Sequence, residues 1–188
     1  MSRSKGLRFD ENRRYFDRLN LAIMSQCRSP AIAAVSPEPV SDTVWDALVE
    51  PFDNALAAME EGKATYYNYW HCILTLSLYC YMLKYVLSHE KFGFEVESHT
   101  EGWLKEHERL LSVAEGQYVE VLDSIGKRHA KVGKYGMTGD ERRLLGDFRR
   151  SMDDLLSWGS VRMVYHAVKG YKQFLLGVEN RRRKQLGN

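Results

Sequence analysis

The segment formed by residues 65–88 constrains the fold more than any other, because its sequence, TYYNYWHCILTLSLYCYMLKYVLS, contains one formal charge, Lys84. On a helix with about 100° per residue, its apolar side chains fall on every side. A helix that is apolar all round has to be surrounded by protein. We therefore predict that this central segment is a central helix with the other helices packed around it. Aliphatic residues on different sides of this helix include Ile73, Leu76, Leu78 and Leu83.

The length of the central segment also raises the question of a membrane span, since about 20 apolar residues cross a hydrocarbon core. Several tyrosines and Trp70 crowd one end, as aromatic residues do at a membrane interface. Asn68, His71 and Lys84 interrupt the segment, however, and polar-faced helices elsewhere would have nothing to pack on if it lay in lipid. We therefore expect no membrane span.

The composition is typical of one globular domain over residues 1–188, with 44% apolar and 28% charged residues. The 27 basic and 25 acidic residues nearly balance, so charge alone does not indicate a nucleic-acid partner. The amino terminus has no apolar region typical of a signal peptide. The odd number of cysteines, Cys27, Cys72 and Cys80, fits free thiols in a reducing compartment, so we expect a cytoplasmic protein.

Apolar residues at helical spacing predict a first helix over residues 7–27 and a second helix that is capped by Ser41 or Asp42 and ends at Gly62. Prolines between these helices predict an extended surface connection over residues 28–40. A strap that binds a partner is the alternative interpretation of this connection.

Pro51 lies inside the pattern of the second helix, whose apolar spacing passes through it unbroken. A proline in a helix interior loses a hydrogen bond and clashes with the preceding turn. We therefore expect a kink there, or a short turn followed by a helix that begins near Pro51. After the central segment, residues 91–98 are predicted to form a loop whose Phe92 and Phe94 fold back onto the core.

The clearest helical pattern covers residues 99–128, where the seam residues recur in steps of three and four. Such a narrow seam is typical of an antiparallel bundle or a coiled coil, and it suits a second copy of the chain as well as the chain's own last helix. The seam consists of Leu104, His107, Leu111, Ala114, Tyr118, Val121 and Ile125.

The last helix is predicted to begin at Thr138, where Glu141 completes a capping box. Its apolar stripe changes register at Gly159, which predicts a bend or a break there. The basic end of the chain, residues 181–188, is expected to fray. Together these elements predict an all-α single-domain bundle of five or six helices around the central segment, with a long kinked or broken C-terminal helix that pairs antiparallel with the helix at 99–128.

The stretch most suggestive of function is residues 127–139, KRHAKVGKYGMTG, which has five basic side chains, three glycines and no acid. We predict a basic loop that leads into a helix start, where unpaired backbone amides favour an anion. The spacing is not that of a Walker loop, and Asp140 and Glu141 follow directly, so a solvated loop between helices is the simpler interpretation. With the basic run near the chain's end, the candidate anion or nucleic-acid site consists of Lys127, Arg128, His129, Lys131, Lys134, Arg181, Arg182, Arg183 and Lys184.

A weakly polar strip on the central segment is the second candidate site. It could line a pocket for a small apolar ligand or for haem, whose iron takes histidine or tyrosine ligands. A buried histidine with a hydrogen-bonding neighbour is the simpler interpretation. The chain has none of the Glu-x-x-His, His-Glu-x-x-His or paired Cys-x-x-Cys patterns, so we predict no metal site and no cofactor. The strip consists of Asn68, His71, Thr75 and Tyr79.

No motif in the chain indicates an enzyme. A Gly-x-Ser-x-Gly turn is missing, and the adjacent acids Asp153 and Asp154 diverge on a helix. Helical patterning without catalytic motifs favours a non-catalytic interaction protein: a regulator, adaptor or inhibitor that acts by protein–protein contact. Nucleic-acid binding, apolar-ligand or haem binding in the core, and homodimerisation through the seam are the alternatives.

Overall fold

The computed structural model describes residues 3–90 and 101–185. Only the backbone is described at residues 3–12, 89–90, 101, 103–104 and 182–185. The described chain has an all-α fold, which confirms the predicted fold class. Its helical elements are α1 (Arg3–Cys27), α2 (Pro30–Ala33), α3 (Asp42–Glu60), α4 (Tyr66–Glu90), α5 (Glu101–Val113), a π-helical segment (Ala114–Tyr118), α6 (Val119–Val132), α7 (Gly139–Trp158) and α8 (Val161–Gln185).

α4 is the predicted central segment, and it packs against α3, α5, α6, α8 and the π-helical segment. Leu78 and Leu83 are fully buried although they point in different directions, whereas Lys84 is exposed and pairs with Glu115 at 2.5 Å. Within the described chain, no helix, α4 included, combines the length and the apolar character that a membrane crossing requires. This confirms the expectation of no membrane span for these residues.

The connection at residues 28–40 is not extended throughout, which corrects the sequence prediction. Its first part forms the single turn of α2, in which Pro30 takes the first helical position and the Ser29 hydroxyl accepts a hydrogen bond from Ile32 N at 3.2 Å. Proline suits this position because its missing N–H would have no partner there, and serine is a favoured cap. Pro30, one of the prolines on which the prediction of an extended connection rests, therefore starts a helix.

The prediction of a helix that begins near Pro51 is wrong, because α3 runs without interruption from its cap at Ser41. Pro51 is buried inside the helix, between the fully buried Leu48 and Phe52. The lost backbone hydrogen bond is offset here by packing of the apolar face, which stays continuous through the proline.

α5, the π-helical segment and α6 form one continuous helix, which ends four residues later than the predicted 99–128. Gly133 ends it in the left-handed conformation, with φ 72°, and its N–H donates to His129 O at 2.8 Å. The predicted basic loop at residues 127–139 is therefore helical up to Val132. Glycine adopts the left-handed conformation without strain, so Gly133 ends the helix. The basic residues before it do not end it, because positive charge is favourable at a helix C-terminus.

The predicted capping box is confirmed at the start of α7, and so is the break at Gly159. Gly159 is extended, with φ −71° and ψ 153°, and the chain beside it pairs with the end of the connection: Ser160 forms an antiparallel bridge with Pro39, and Val40 N donates to Gly159 O at 3.3 Å. After the break, α8 packs against α1, α2 and α4, whereas α7 packs against α6 and the π-helical segment.

The helix α8 continues to Gln185, so the basic run predicted to fray lies in a helix as far as the structure describes it. The predicted loop at residues 91–98, with Phe92 and Phe94, lies outside the described residues. Five of the seven predicted seam residues are buried in α5, the π-helical segment and α6: His107, Ala114, Tyr118, Val121 and Ile125.

Candidate functional site

Arg128, a member of the predicted basic loop, lies near the end of α6 and links it by hydrogen bonds to the α6–α7 connection and to the start of α7. Its Nη1 donates to Gly136 O at 2.5 Å, and its Nη2 donates to Glu141 Oε1 at 2.6 Å. The other oxygen of Glu141 accepts from Thr138 N at 2.7 Å, and the Thr138 hydroxyl accepts from Glu141 N at 3.3 Å. The guanidinium is thus committed to an intramolecular carboxylate and carbonyl.

This hydrogen-bonded arrangement lowers the pKa of Glu141. Burial by itself would raise the pKa, but hydrogen bonds from Arg128, Thr138 N and Ser124 lower it from 4.5 to about 2. The carboxylate is 10% exposed and stays charged at neutral pH. An anion at this helix start would compete with Glu141 for the Arg128 guanidinium.

His129 and Tyr135 form an aromatic stack that packs the short α6–α7 connection against α4. Their ring centroids lie 3.8 Å apart and nearly parallel, and Tyr135 stacks in turn on Tyr69 at 4.9 Å. The Tyr69 hydroxyl donates to Leu122 O at 2.9 Å, which ties α4 to α6. The predicted anion ligand His129 is therefore part of a packed stack.

A groove of about 530 Å³ runs along α6 beside the predicted basic residues. Lys127 in this groove forms an ion pair with Asp123 at 2.5 Å, and both side chains are exposed. Lys131 and Lys134 are also exposed. The groove mixes two acids with three bases, so it does not present a uniformly positive surface. It is lined by Glu120, Asp123, Ser124, Lys127, Arg128 and Lys131.

The second basic segment lies on a different part of the fold. Arg181 is exposed on α8, and Arg182, Arg183 and Lys184 belong to the part of α8 of which only the backbone is described. In the described chain, α6 and α8 are not among the helix pairs with extensive contact. The structure therefore does not assemble the two basic segments into one packed site.

The polar strip on α4 is covered by side chains from other helices. Asn68 Oδ1 accepts from Thr65 N and Thr65 Oγ1, both at 2.8 Å, at the start of α4. Tyr15 from α1 lies over the strip: its hydroxyl is 3.3 Å from Thr75 Oγ1, and its ring centroid is 5.8 Å from that of His71.

Tyr79, the last member of the strip, is fully buried against Phe148, with ring centroids 5.2 Å apart. Burial raises the pKa of both Tyr15 and Tyr79, so both are neutral phenols. Iron takes tyrosine as a charged phenolate, which this environment disfavours. In the described residues, no group of three or more His, Cys, Asp or Glu side chains is placed to hold a metal ion.

The surface that sequence reading missed is the far half of α8. We call Tyr171, Phe174, Leu175 and Val178 the distal stripe. These residues continue the core-facing side of α8 at helical spacing. Tyr171 is buried, but Phe174 is 49% exposed and Val178 is 41% exposed. The second half of the stripe is therefore less covered than its first half.

Packing fixes the near end of the distal stripe. The Tyr171 ring lies 5.9 Å from Phe16 of α1 and 6.1 Å from Phe174, nearly parallel to the latter. Lys172 Nζ lies 5.3 Å from the centroid of Phe16. The sequence signal for this surface is an apolar stripe at helical spacing along α8, which by itself predicts a side that faces the core.

Comparison of the chain with models of protein families, with curated protein sequences and with solved structures finds no match. The function is therefore inferred from the geometry of the chain.

Proposed function

We propose that the protein is a non-catalytic interaction protein, a regulator, adaptor or inhibitor, that contacts another protein through the distal stripe of α8. This proposal rests on one observation. Phe174 and Val178 are about half exposed, although they lie on the side of α8 that is buried in the core one turn earlier. Contiguous apolar surface of this kind marks interaction sites, whereas singly exposed apolar residues are normal.

The spacing of the distal stripe suits a helical partner. Anchors at positions i, i+3, i+4 and i+7 are the pattern by which one helix face meets another protein. Covering the exposed halves of Phe174 and Val178 would contribute about 1 kcal/mol each. Because association has its own entropic cost, the stripe supports a transient complex to which the partner adds polar contacts at the rim.

Two alternatives have less support. Arg128, His129 and Lys127 of the nucleic-acid candidate already have intramolecular partners. Tyr15 and Phe148 lie where a ligand would contact the polar strip. The three cysteines are buried and free, which supports our proposal that the protein works in a reducing, cytoplasmic compartment.

The test is affinity capture from the cells that make the protein, with three forms of the chain as bait. The double variant Phe174→Glu/Val178→Glu places charge on the distal stripe and is expected to lose the partner that the unchanged protein retains. Leu176→Glu is the matched control, because Leu176 is 57% exposed and lies about 200° around the helix from both stripe residues. Circular dichroism first confirms that all three baits are folded.

The captured partner is then purified, and its affinity for each bait is measured by calorimetry. An at least tenfold weaker Kd for the double variant, with Leu176→Glu unchanged, is the expected result. Equal affinity for all three baits would exclude the distal stripe as the interface.

A further inference from the structure

We infer that the partner presents an acidic amphipathic helix, whose apolar residues meet the distal stripe and whose carboxylates meet the basic flank of α8. This inference rests on the proposed function and adds the chemistry of the partner. It combines the exposure of the stripe with the distribution of charge along the chain.

The far end of α8 is one of two strongly basic stretches of the chain, the other being residues 127–139. Residues 169–185 contain six basic residues and one acid, Glu179, for a net charge of +5. The whole chain has a net charge of +2, so the remainder carries −3. The six basic residues are Lys169, Lys172, Arg181, Arg182, Arg183 and Lys184.

Among the described members of this set, Arg181 lies about 20° around the helix from Phe174 and one turn after Val178, whereas Lys169 lies on the side of Leu176. Lys169 and Arg181 are exposed, and neither forms an ion pair with any residue in the described part of the chain. Lys172 is partly buried over Phe16, and burial lowers its pKa. Positive charge beside an apolar surface attracts a partner of opposite charge and fixes its register.

A helix matches the stripe better than an extended peptide does. From Tyr171 to Val178 the stripe spans eight residues, or about 10 Å along the axis, which is two helical turns. Side chains at this spacing form a ridge that packs between the side chains of a neighbouring helix.

The same observations disfavour three other occupants. A second copy of the chain would bring two segments of +5 together. A membrane surface needs one protruding apolar face, whereas Phe174 and Val178 are about half covered and the most exposed apolar residue of this region, Leu176, lies on the opposite side. Nucleic acid would pair with the cations but would leave the apolar anchors uncovered.

The test uses a fluorescent synthetic peptide of about five helical turns, with leucines at positions a and d and glutamates elsewhere on the flanks. A matched peptide has lysines in place of the glutamates. Both are titrated with the full chain by fluorescence anisotropy at about 50 and 200 mM salt, a range over which charge attraction is strongly screened. The expected result is that the glutamate peptide binds at least about tenfold more tightly, and that salt reduces the difference.

Three variants of the chain assign the binding to the surface. Phe174→Glu is expected to abolish binding of the glutamate peptide, and Leu176→Glu to leave it unchanged. The quadruple variant R181Q/R182Q/R183Q/K184Q is expected to weaken binding about tenfold at low salt and less at high salt.

Equal binding of the two peptides, or no binding of either, overturns the inference of an acidic partner. If capture of the cellular partner still depends on Phe174, the proposed interface stands while its charge preference fails. Phe174-dependent binding to phosphatidylserine vesicles or duplex DNA, or Phe174-dependent self-association in light scattering, also overturns it and identifies the other occupant.

Discussion

Arg128 at the end of α6 and Glu141 in the first turn of α7 form an ion pair, with 2.6 Å between Nη2 and Oε1. The pair closes a connection of six residues, and Thr138 shares the same carboxylate through the capping box. The basic stretch at residues 127–139 therefore has a structural role, because Arg128, its most buried cation, neutralises the carboxylate of Glu141.

Replacement of Glu141 by glutamine is expected to lower the free energy of unfolding by about 1–3 kcal/mol at pH 7, because Arg128 loses its charged partner. The folded-state pKa of about 2 lies below the ordinary 4.5, so the carboxylate stabilises the fold above pH 4.5. That contribution is lost as pH falls from 4.5 towards 2. Urea unfolding of both proteins at pH 7, 4.5 and 3 measures it.

Asp140→Asn is the control for this prediction, because Asp140 is in the same helical turn but its side chain is 89% exposed. Its effect is expected to stay below about 0.5 kcal/mol. A difference between the unchanged protein and Glu141→Gln that is the same at pH 7 and pH 3 would contradict the assigned role of the ion pair.

Gly159→Ala is expected to destabilise the protein by about 1–3 kcal/mol, because the added methyl group overpacks the break between α7 and α8. A Cβ there would lie 2.8 Å from Leu155 O and against Met163 Cε. Gly146→Ala in α7 is the matched control: its Cβ would meet no atom within 4 Å, so the better helix former should stabilise the protein by about 0.5–1 kcal/mol. Thermal unfolding compares the two, and destabilisation of equal size in both would show that packing at the break is not the cause.

The substitutions Tyr15→Phe and Tyr79→Phe each remove one buried hydroxyl, and comparing their stabilities shows what each hydroxyl contributes. Tyr15 hydrogen-bonds with Thr75 and Leu48 O, so its replacement should cost about 0.5–1.5 kcal/mol. The Tyr79 hydroxyl lies near Ser151 without a hydrogen bond of ordinary geometry, so Tyr79→Phe should be neutral or stabilising. Chemical denaturation measures both, and a large loss in Tyr79→Phe would indicate an unrecognised polar role for that side chain.

Lys131→Ala combined with Lys134→Ala tests the nucleic-acid alternative without disturbing the fold. Both side chains are exposed, so stability should change by less than about 0.5 kcal/mol. Anisotropy of a labelled DNA duplex at about 50 and 200 mM salt should show no affinity that depends on these lysines. A salt-sensitive affinity that falls in the double variant would establish α6 as a nucleic-acid surface.

The features that the sequence predicted well are set by local chemistry. The central helix α4 follows from a segment with one formal charge, and the start of α7 follows from a threonine three residues before a glutamate. The break at Gly159 follows from a change in the register of the apolar stripe. In each case the residues that determine the structure lie within one continuous stretch of the chain.

The features that the sequence did not predict depend on neighbours distant in the chain or on competition between local signals. α6 passes through the basic residues because the left-handed Gly133 is a better stop. α3 continues through Pro51 because its apolar side is buried on both sides of the proline. The exposure of Phe174 depends on how closely distant parts of the chain approach α8, and the spacing of apolar residues contains no information about that.

Site-specific photo-crosslinking in the cells that make the protein tests the central claim most directly. A photoreactive amino acid is placed at position 174, at position 178 or, as the control, at position 176. Our account predicts one discrete crosslinked protein from positions 174 and 178 and none from position 176. Crosslinking of the same strength from position 176, or none from 174 and 178, would contradict the claim that the distal stripe of α8 is the binding surface.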